Sequence, residues 1–289
     1  MKPNFFIIGA PKCGTTSLAT YLGMHPNVFM CSPKEPHYFS TDINWQLVKN
    51  KNDYLKLFAK ATNDNFAIGE GSVFYLFSQN AVPNILKFNP DAKFIVMLRN
   101  PLELIVSLHA ENQKSGSETL VNFEDAWRAQ SIRKINSLLR NPNAHQYEAV
   151  AKTGNQLARL YDLVPPDNVC IILYDDFVID PRACYLNVLE FLSIEDDHRK
   201  NFGIYNERLE YRSIFLNKII VSVSDFIGLA SRYHIPLKTF SDILRKFNST
   251  SKQQVVFSDD FRQELITVFQ EDILLLERLL KRDLSIWLH

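Results

Sequence analysis

Six consecutive residues near the start of the chain, Lys12, Cys13, Gly14, Thr15, Thr16 and Ser17, are of types that together hold an anion. They follow the apolar run FFIIG and open the helical pattern TTSLATYL. A strand, a tight turn carrying Gly9 and Gly14, then a helix is the layout of a phosphate-binding loop. Unpaired N–H groups at the helix start, with the positive end of its dipole, point at the ligand. First-turn hydroxyls add donors. The plainer alternative is an ordinary strand–turn–helix with a Ser/Thr cap. Gly9-x-x-x-x-Gly14 has Walker A spacing, yet Thr15 stands where that loop has its lysine, and Lys12 lies inside the turn instead. The run FIVML ends near Arg99, where an Asp would hold magnesium. The pattern therefore predicts a nucleotide phosphate without metal-bridged γ-phosphate transfer. A dinucleotide turn is excluded because GxGxxG is missing.

Three further places carry chemistry-bearing residues. Arg99 closes an apolar run, Pro101 suits a first helical position, and Ser107 follows eight residues after Arg99. A planar guanidinium can grip a phosphate by two parallel bonds, although Arg-Asn-Pro alone is also an ordinary helix start with a surface cation. Lys34-Glu35-Pro36-His37-Tyr38-Phe39 places a carboxylate and an imidazole two residues apart, and reads equally as a polar loop with Tyr38 and Phe39 in the core. Gly69-Glu70-Gly71-Ser72 follows an apolar run, at the strand end where ligands of open sheets gather. Glu70 and Ser72 are candidates for acceptor contact, or for plain turn duty. His109 sits one turn beyond its helix's apolar stripe and reads as packing.

The elements that must position these residues are legible from apolar patterning. Four short runs, Phe5–Gly9, Phe66–Glu70, Lys93–Leu98 and Val169–Leu173, are apolar on both faces, as buried parallel strands are. Helical patterns cover Thr15–Leu22, Asn80–Phe88 and Leu102–Asn112, with a long block from Phe123 to Leu163. Alternation of this kind predicts an α/β fold, an open doubly wound parallel sheet with a P-loop-like phosphate site. Beyond Leu173 the pattern turns helical, at Pro181–Leu192, Ile214–Ala230, Ser241–Phe247 and Ser258–Lys281, giving a helical C-terminal half. With nine glycines and no Gly/Ser linker, residues 1–289 read as one domain with a helical lid or appendage over roughly 200–257.

The motif PKCGTTSL after the first strand resembles the 5′-phosphosulfate loop of sulfotransferases that use 3′-phosphoadenosine 5′-phosphosulfate (PAPS). RNPLELIVS is similar to that family's 3′-phosphate site, with Arg99 at a strand end and Ser107 on the next helix. LYDDFVIDPRACYLNVLEFL resembles its YED segment, where a tyrosine contacts the nucleotide; Asp175 replaces the usual Glu, so only Tyr174 carries over. NERLEYRS lies where the family closes a basic loop over the cofactor, which makes Arg212 a candidate although the usual Lys-Gly pair is missing. The terminal stretch, Phe257 to Trp287, is similar to that of bacterial members. KEPHYF resembles heparan-type members, which implies Glu35 as general base and His37 as its assistant; a free imidazole also titrates near working pH. The segment from Lys114 to Leu163 matches nothing specific and is left to shape the acceptor pocket.

Composition limits the partners. The 32 Lys plus Arg balance 32 Asp plus Glu, so no long-range field draws in nucleic acid, anionic membrane or a polyanionic polymer. The four cysteines, Cys13, Cys31, Cys170 and Cys184, form no CxxC pair and no disulfide framework, which suits a reducing compartment. The apolar run at the start is broken by Gly9 and Pro11, too short for a signal-peptide core or a membrane span. The resemblance implies a PAPS-dependent sulfotransferase acting on a hydroxyl, or an amine, while the balanced charge points to a small-molecule acceptor such as a natural product and the apolar patterning to a cytoplasmic location. It implies no metal and no nucleic acid; Lys12, Glu35 and His37 would be catalytic. A P-loop-type nucleoside or small-molecule kinase is the rival, as is an inactive nucleotide-binding module.

Overall fold

A computed structural model describes residues 1–133, 142–203, 210–211, 249–250 and 257–289. Five parallel strands form the central sheet: β1 (Phe5–Gly9), β2 (Val28–Met30), β3 (Ala67–Gly71), β4 (Lys93–Leu98) and β5 (Val169–Leu173), in the order β2-β3-β1-β4-β5. All residues of β1 and β3 are buried, as double-sided cover demands. The doubly wound parallel sheet is therefore present, with one strand more than periodicity finds. β2 is only three residues long, too short to show a pattern, and exists because its backbone pairs with β3 from Val28↔Ala67 to Met30↔Gly69. β3 also begins one residue later than the apolar run suggests, since Phe66 is 68% exposed.

Sequence order explains where ligands gather. The chain leaves β1 through the turn into α1 (Thr15–Gly23), returns as β2 at the edge, and then lays β3 on one side of β1 and β4 on the other. Connections departing from β1 to opposite sides open a crevice at the strands' carboxyl ends, the general ligand position in open α/β sheets. The short α2 (Lys51–Lys56) precedes β3, α3 (Ala81–Phe88) and α4 (Pro101–Lys114) lie between strands as expected, and the block from Phe123 to Leu163 breaks into short helices. Among its described residues these include Phe123–Arg128, Gln130–Arg133, Tyr147–Ala151 and Thr153–Leu163. The later helices are Tyr174–Ile179, Pro181–Leu192 and Asp259–Leu280. The helices expected at 214–230 and 241–247, and almost all of the expected lid, lie outside the described residues.

The chain divides into two compact units. One comprises Met1–Leu104, Val150–Asn206 and Ile266–His289, and holds the sheet. Its core under the sheet is aromatic: Phe39 packs edge-on against Phe6, Tyr54, Tyr75 and Phe88, with ring centroids 5.1–6.0 Å apart. The other comprises Ile105–Ala149 and Glu207–Leu265. In its described part Phe123 packs near His109, Tyr147 and Phe261, and the buried Glu118 carboxylate accepts from Arg133 and from the Tyr147 hydroxyl. His109 is buried, its Nε2 on the Leu120 carbonyl at 3.0 Å, which is a packing role. No helix among the described residues is long and apolar enough to cross a membrane.

One glycine holds the sheet core to tolerance. Gly69 pairs with Phe5 in the β1–β3 ladder, and a Cβ on it would fall 2.2 Å from the Phe5 ring. Gly69→Ala therefore overpacks the site, with an expected loss of ~1–3 kcal/mol. Urea denaturation should show the lowered midpoint, and the loss should shrink in a Phe5→Leu background; an unchanged midpoint with Phe5 present, or an equal loss in both backgrounds, contradicts the packing described.

Candidate active site

The phosphate loop follows β1. Gly9 takes φ +143°, with the Val73 carbonyl where a Cβ would lie, and Gly14 caps α1 in the left-handed region at φ +87°. No side chain caps the first turn of α1 and no acidic residue occupies it. Its N–H groups and dipole are thus turned to an anion rather than to a carboxylate of the chain. Thr15 and Ser17 are buried and Thr16 half-buried. The Cys13 side chain is buried with its thiol on the Pro11 carbonyl, and burial pushes that thiol up to about 12, so only its backbone can serve a ligand. Two glycines at positive φ, a helix start that no side chain caps, and Lys12 fit the phosphosulfate end of PAPS.

The 31–39 loop extends β2 along the end of β3. Cys31 N–H donates to Gly69 O at 3.0 Å, Glu35 N–H to Gly71 O at 3.0 Å, and His37 N–H to Ser72 Oγ at 3.1 Å. Glu35 and His37 both take positive φ, 64° and 51°. These bonds aim the Glu35 carboxylate back toward the phosphate loop. Its Oε2 meets His37 Nε2 at 3.3 Å and its Oε1 meets Lys34 Nζ at 3.2 Å. Burial pushes the Glu35 carboxyl up, but the His37 hydrogen bond and the Lys34 charge outweigh it and hold it below the ordinary value. His37 is buried against Trp45, Phe74 and Tyr75, and its Nδ1 has no hydrogen-bond partner among the described residues.

Lys34 is the residue that sequence reasoning passes over. Its ammonium donates to Thr16 Oγ1 at 3.0 Å and reaches Thr15 Oγ1 at 3.3 Å, bringing the loop of Glu35 and the phosphate loop into one site. A lysine before a glutamate reads as surface charge, and no spacing rule separates the two cases. Glu70 and Ser72, the candidates for acceptor contact, close the end of β3. Both are 0% exposed, and Ser72 Oγ accepts from the His37 N–H of the 31–39 loop. Burial pushes the Glu70 carboxyl up to about 8, against a lowering by the hydroxyls of Tyr75, Tyr54 and Ser72. Those hydroxyls lie near enough to act on it, yet neither carboxyl oxygen has a partner at hydrogen-bond geometry among the described residues.

Arg99 and Tyr174 come together at the ends of β4 and β5. The guanidinium lies 4.2 Å from the Tyr174 ring centroid and donates to the Lys12 carbonyl at 3.1 Å. Its other donors meet Glu103 Oε2 at 2.7 and 2.9 Å, an exposed carboxylate that an incoming phosphate can replace. The Arg99–Glu103 spacing of four on a helix start was the available signal. The Tyr174 helix is clipped from behind: Trp287 Nε1 donates to Asp175 at 3.0 Å, and Arg282 pairs with Asp176. Ser107 is buried on α4 and belongs to the second unit. Arg212 lies outside the described residues. Among those residues no cluster of His, Cys, Asp and Glu has the makeup of a metal site.

Comparison with known proteins gives the chain its family. A family model described as a sulfotransferase domain matches residues 2–212. The membrane-associated sulfotransferase kil1 of Dictyostelium discoideum is 36% identical over 111 residues, 36% of this chain and 22% of that protein. Mouse carbohydrate sulfotransferase 15 is 31% identical over 194 residues, 48% of this chain and 34% of that protein. The chain thus spans about a third or less of these relatives' own length. Among solved structures, a sulfotransferase from Alicyclobacillus acidocaldarius is 26% identical with TM-score 0.74, each chain covered completely. Mouse sulfotransferase SULT7A1, solved with PAP, is 14% identical at TM-score 0.51, covering 99% of this chain and 86% of that one, a likeness of fold.

The buried Glu70 carries a testable sign. Its folded value near 8 exceeds the ordinary 4.5, so between these values the folded chain keeps a proton that the unfolded chain releases. Its contribution is complete below pH ~4.5 and falls as pH rises through ~8, at up to ~1.4 kcal/mol per pH unit. Glu70→Gln, neutral throughout, should therefore gain stability relative to the native chain as pH rises over that window. Denaturant titrations at a series of pH values read this difference, and a constant difference would mean that Glu70 is ionised in the fold.

Proposed function

The chain belongs to the sulfotransferase domain family, and from that premise we propose that it transfers a sulfuryl group from PAPS to a hydroxyl of a small-molecule acceptor. The observation that carries this reading is the Glu35 carboxylate, held ionised and joined through Lys34 to the phosphate loop. Bound PAPS supplies the sulfuryl group, whose bond to the 5′-phosphate oxygen breaks as its bond to the acceptor oxygen forms. Glu35 takes the acceptor's proton, and His37 holds the carboxylate's other oxygen in place. Lys12 and the α1 N–H groups neutralise the negative charge that grows on the leaving phosphate, leaving PAP and a sulfate ester. An amine acceptor would lose its proton to the same carboxylate and yield a sulfamate.

Arg99 is assigned the 3′-phosphate together with Ser107, and Tyr174 the nucleotide alongside it; Arg212 keeps its place as a proposed cover. The acceptor class is a natural product with a free hydroxyl. Relatives named for carbohydrate and heparan sulfate acceptors share less than half of this chain, and a polyanion would need the cation excess that 32 against 32 charges do not supply. Free thiols at Cys13, Cys31, Cys170 and Cys184 suit a cytoplasmic setting. The kinase reading has no support: Thr15 replaces the loop lysine, and Arg99 follows the strand that would supply a magnesium carboxylate.

Thermal shift without magnesium tests the nucleotide, and turnover tests the base. PAP should raise the melting temperature well above the effect of AMP, because charge-assisted bonds to the extra phosphate contribute ~1.5–3 kcal/mol each. Arg99→Ala should erase that preference. Equal stabilisation by PAP and AMP, or a strict need for magnesium, would sink the assignment. With an acceptor in hand, Glu35→Gln should lose ~10²–10⁴ in kcat while retaining fold and PAP binding, and Lys12→Ala ~10²–10³. Undiminished turnover in Glu35→Gln would move the base elsewhere.

A further inference from the structure

We infer that Lys34 is a further catalytic residue which links nucleotide binding to the general base: its one ammonium serves both the phosphate loop and Glu35, so an anion on the loop draws that charge away and strengthens Glu35 as a base. The inference rests on the proposed PAPS reading and goes beyond it. An ammonium has three donors, and all three of Lys34's are engaged, on Thr15 Oγ1 (3.3 Å), Thr16 Oγ1 (3.0 Å) and Glu35 Oε1 (3.2 Å). A phosphate arriving at those hydroxyls must share the same three donors. Lys34 cannot serve it fully without loosening its hold on Glu35.

The surroundings leave little alternative. The side chain is 24% exposed, so its charge is only partly screened. The charged and titratable groups acting on it are Glu35, Lys12 and Cys31, and those acting on Glu35 are Lys34 and His37. Burial lowers the Lys34 ammonium and Glu35 works against that, which marks the pair as mutually dependent. The fold also keeps room for this arm. A Cβ on Gly71 would lie 3.2 Å from Lys34 Cε, tighter than ordinary contact, so the lysine stem runs in the space that the missing side chain leaves. Gly71 is also the residue whose carbonyl anchors the Glu35 N–H. Base and cation are therefore referred to the same point on β3.

Linkage is reciprocal: if an anion on the loop weakens the Lys34–Glu35 pair, removing the Glu35 charge must strengthen anion binding through Lys34. The test is a double-mutant cycle of PAP affinity by calorimetry, without magnesium or acceptor, on the full chain, Glu35→Gln, Lys34→Met and the double variant. Melting temperatures of the free proteins check the fold, and Lys34→Gln replaces Lys34→Met in the cycle if the latter is unfolded. PAP should bind Glu35→Gln about fivefold or more tighter than the native chain, the lower end for linked sites. Lys34→Met should bind it about tenfold or more weakly, as expected for the loss of a charge-assisted contact. In the Lys34→Met background Glu35→Gln should add nothing. Tightening that persists there is bare repulsion by Glu35 and overturns the proposal, as does no tightening at all. Failure of the native chain to bind PAP would instead overturn the PAPS reading, and this inference with it.

Discussion

Backbone hydrogen bonds to the carboxyl end of β3 set the position of nearly everything that could react. Cys31, Glu35 and His37 each donate an N–H there, to Gly69 O, Gly71 O and Ser72 Oγ. Those bonds convert a loop into an extension of the sheet, so the Glu35 carboxylate is located by strand geometry rather than by loop flexibility. β3 in turn is fixed by β1, whose own end starts the phosphate loop. Glu35 and the phosphate loop thus share one frame. Sites on rigid elements hold their groups more closely than sites on loops do.

The frame also bears strain. Lys12, Glu35 and His37 all occupy the left-handed region although none is glycine, at a typical cost of ~1–3 kcal/mol each. Packing on the far side of the loop offsets it: Phe39 is 3% exposed among the rings of Phe6, Tyr38, Tyr54, Tyr75 and Phe88, and Tyr38 stacks on Tyr54 at 4.4 Å. An aromatic pair placed just after the reactive residues fixes the direction in which Glu35 and His37 leave the sheet. Three of the six non-glycine residues at positive φ among the described residues are these chemistry-bearing ones, and backbone strain of this kind clusters at pre-organised sites.

Much of this was legible in the residues. Long apolar runs gave four of five strands, because a strand buried on both faces has no polar positions to obscure it. The phosphate loop was readable from Gly9, Gly14 and the run of hydroxyls, since each residue type there answers a local backbone demand. β2 was not, because three residues carry no periodicity and the pairing that creates it is made with a strand nearly forty residues away. Lys34 escaped for a related reason. Whether a lysine faces water or a neighbouring loop depends on tertiary placement, here on the room beside Gly71. Glu70 and Ser72 read as polar residues at a strand end, but their complete burial follows from pleat and cover that sequence spacing alone does not determine.

The clip behind Tyr174 bears on the order in which the protein is made. Arg282 and Trp287 hold Asp176 and Asp175 across sequence separations of 106 and 112 residues. Asp272 likewise accepts from the Gly154 and Asn155 N–H groups at the head of the Thr153–Leu163 helix, more than a hundred residues upstream. All five strands leave the ribosome before any of these partners is synthesised. A nascent chain can therefore complete its sheet and phosphate loop while the support for Tyr174, and with it one wall beside Arg99, is still missing. Closure of such long loops also comes late in folding, since their entropy is lost before their contacts form. The support for Tyr174 is in this sense a late addition, supplied by residues synthesised more than a hundred positions after the helix they hold.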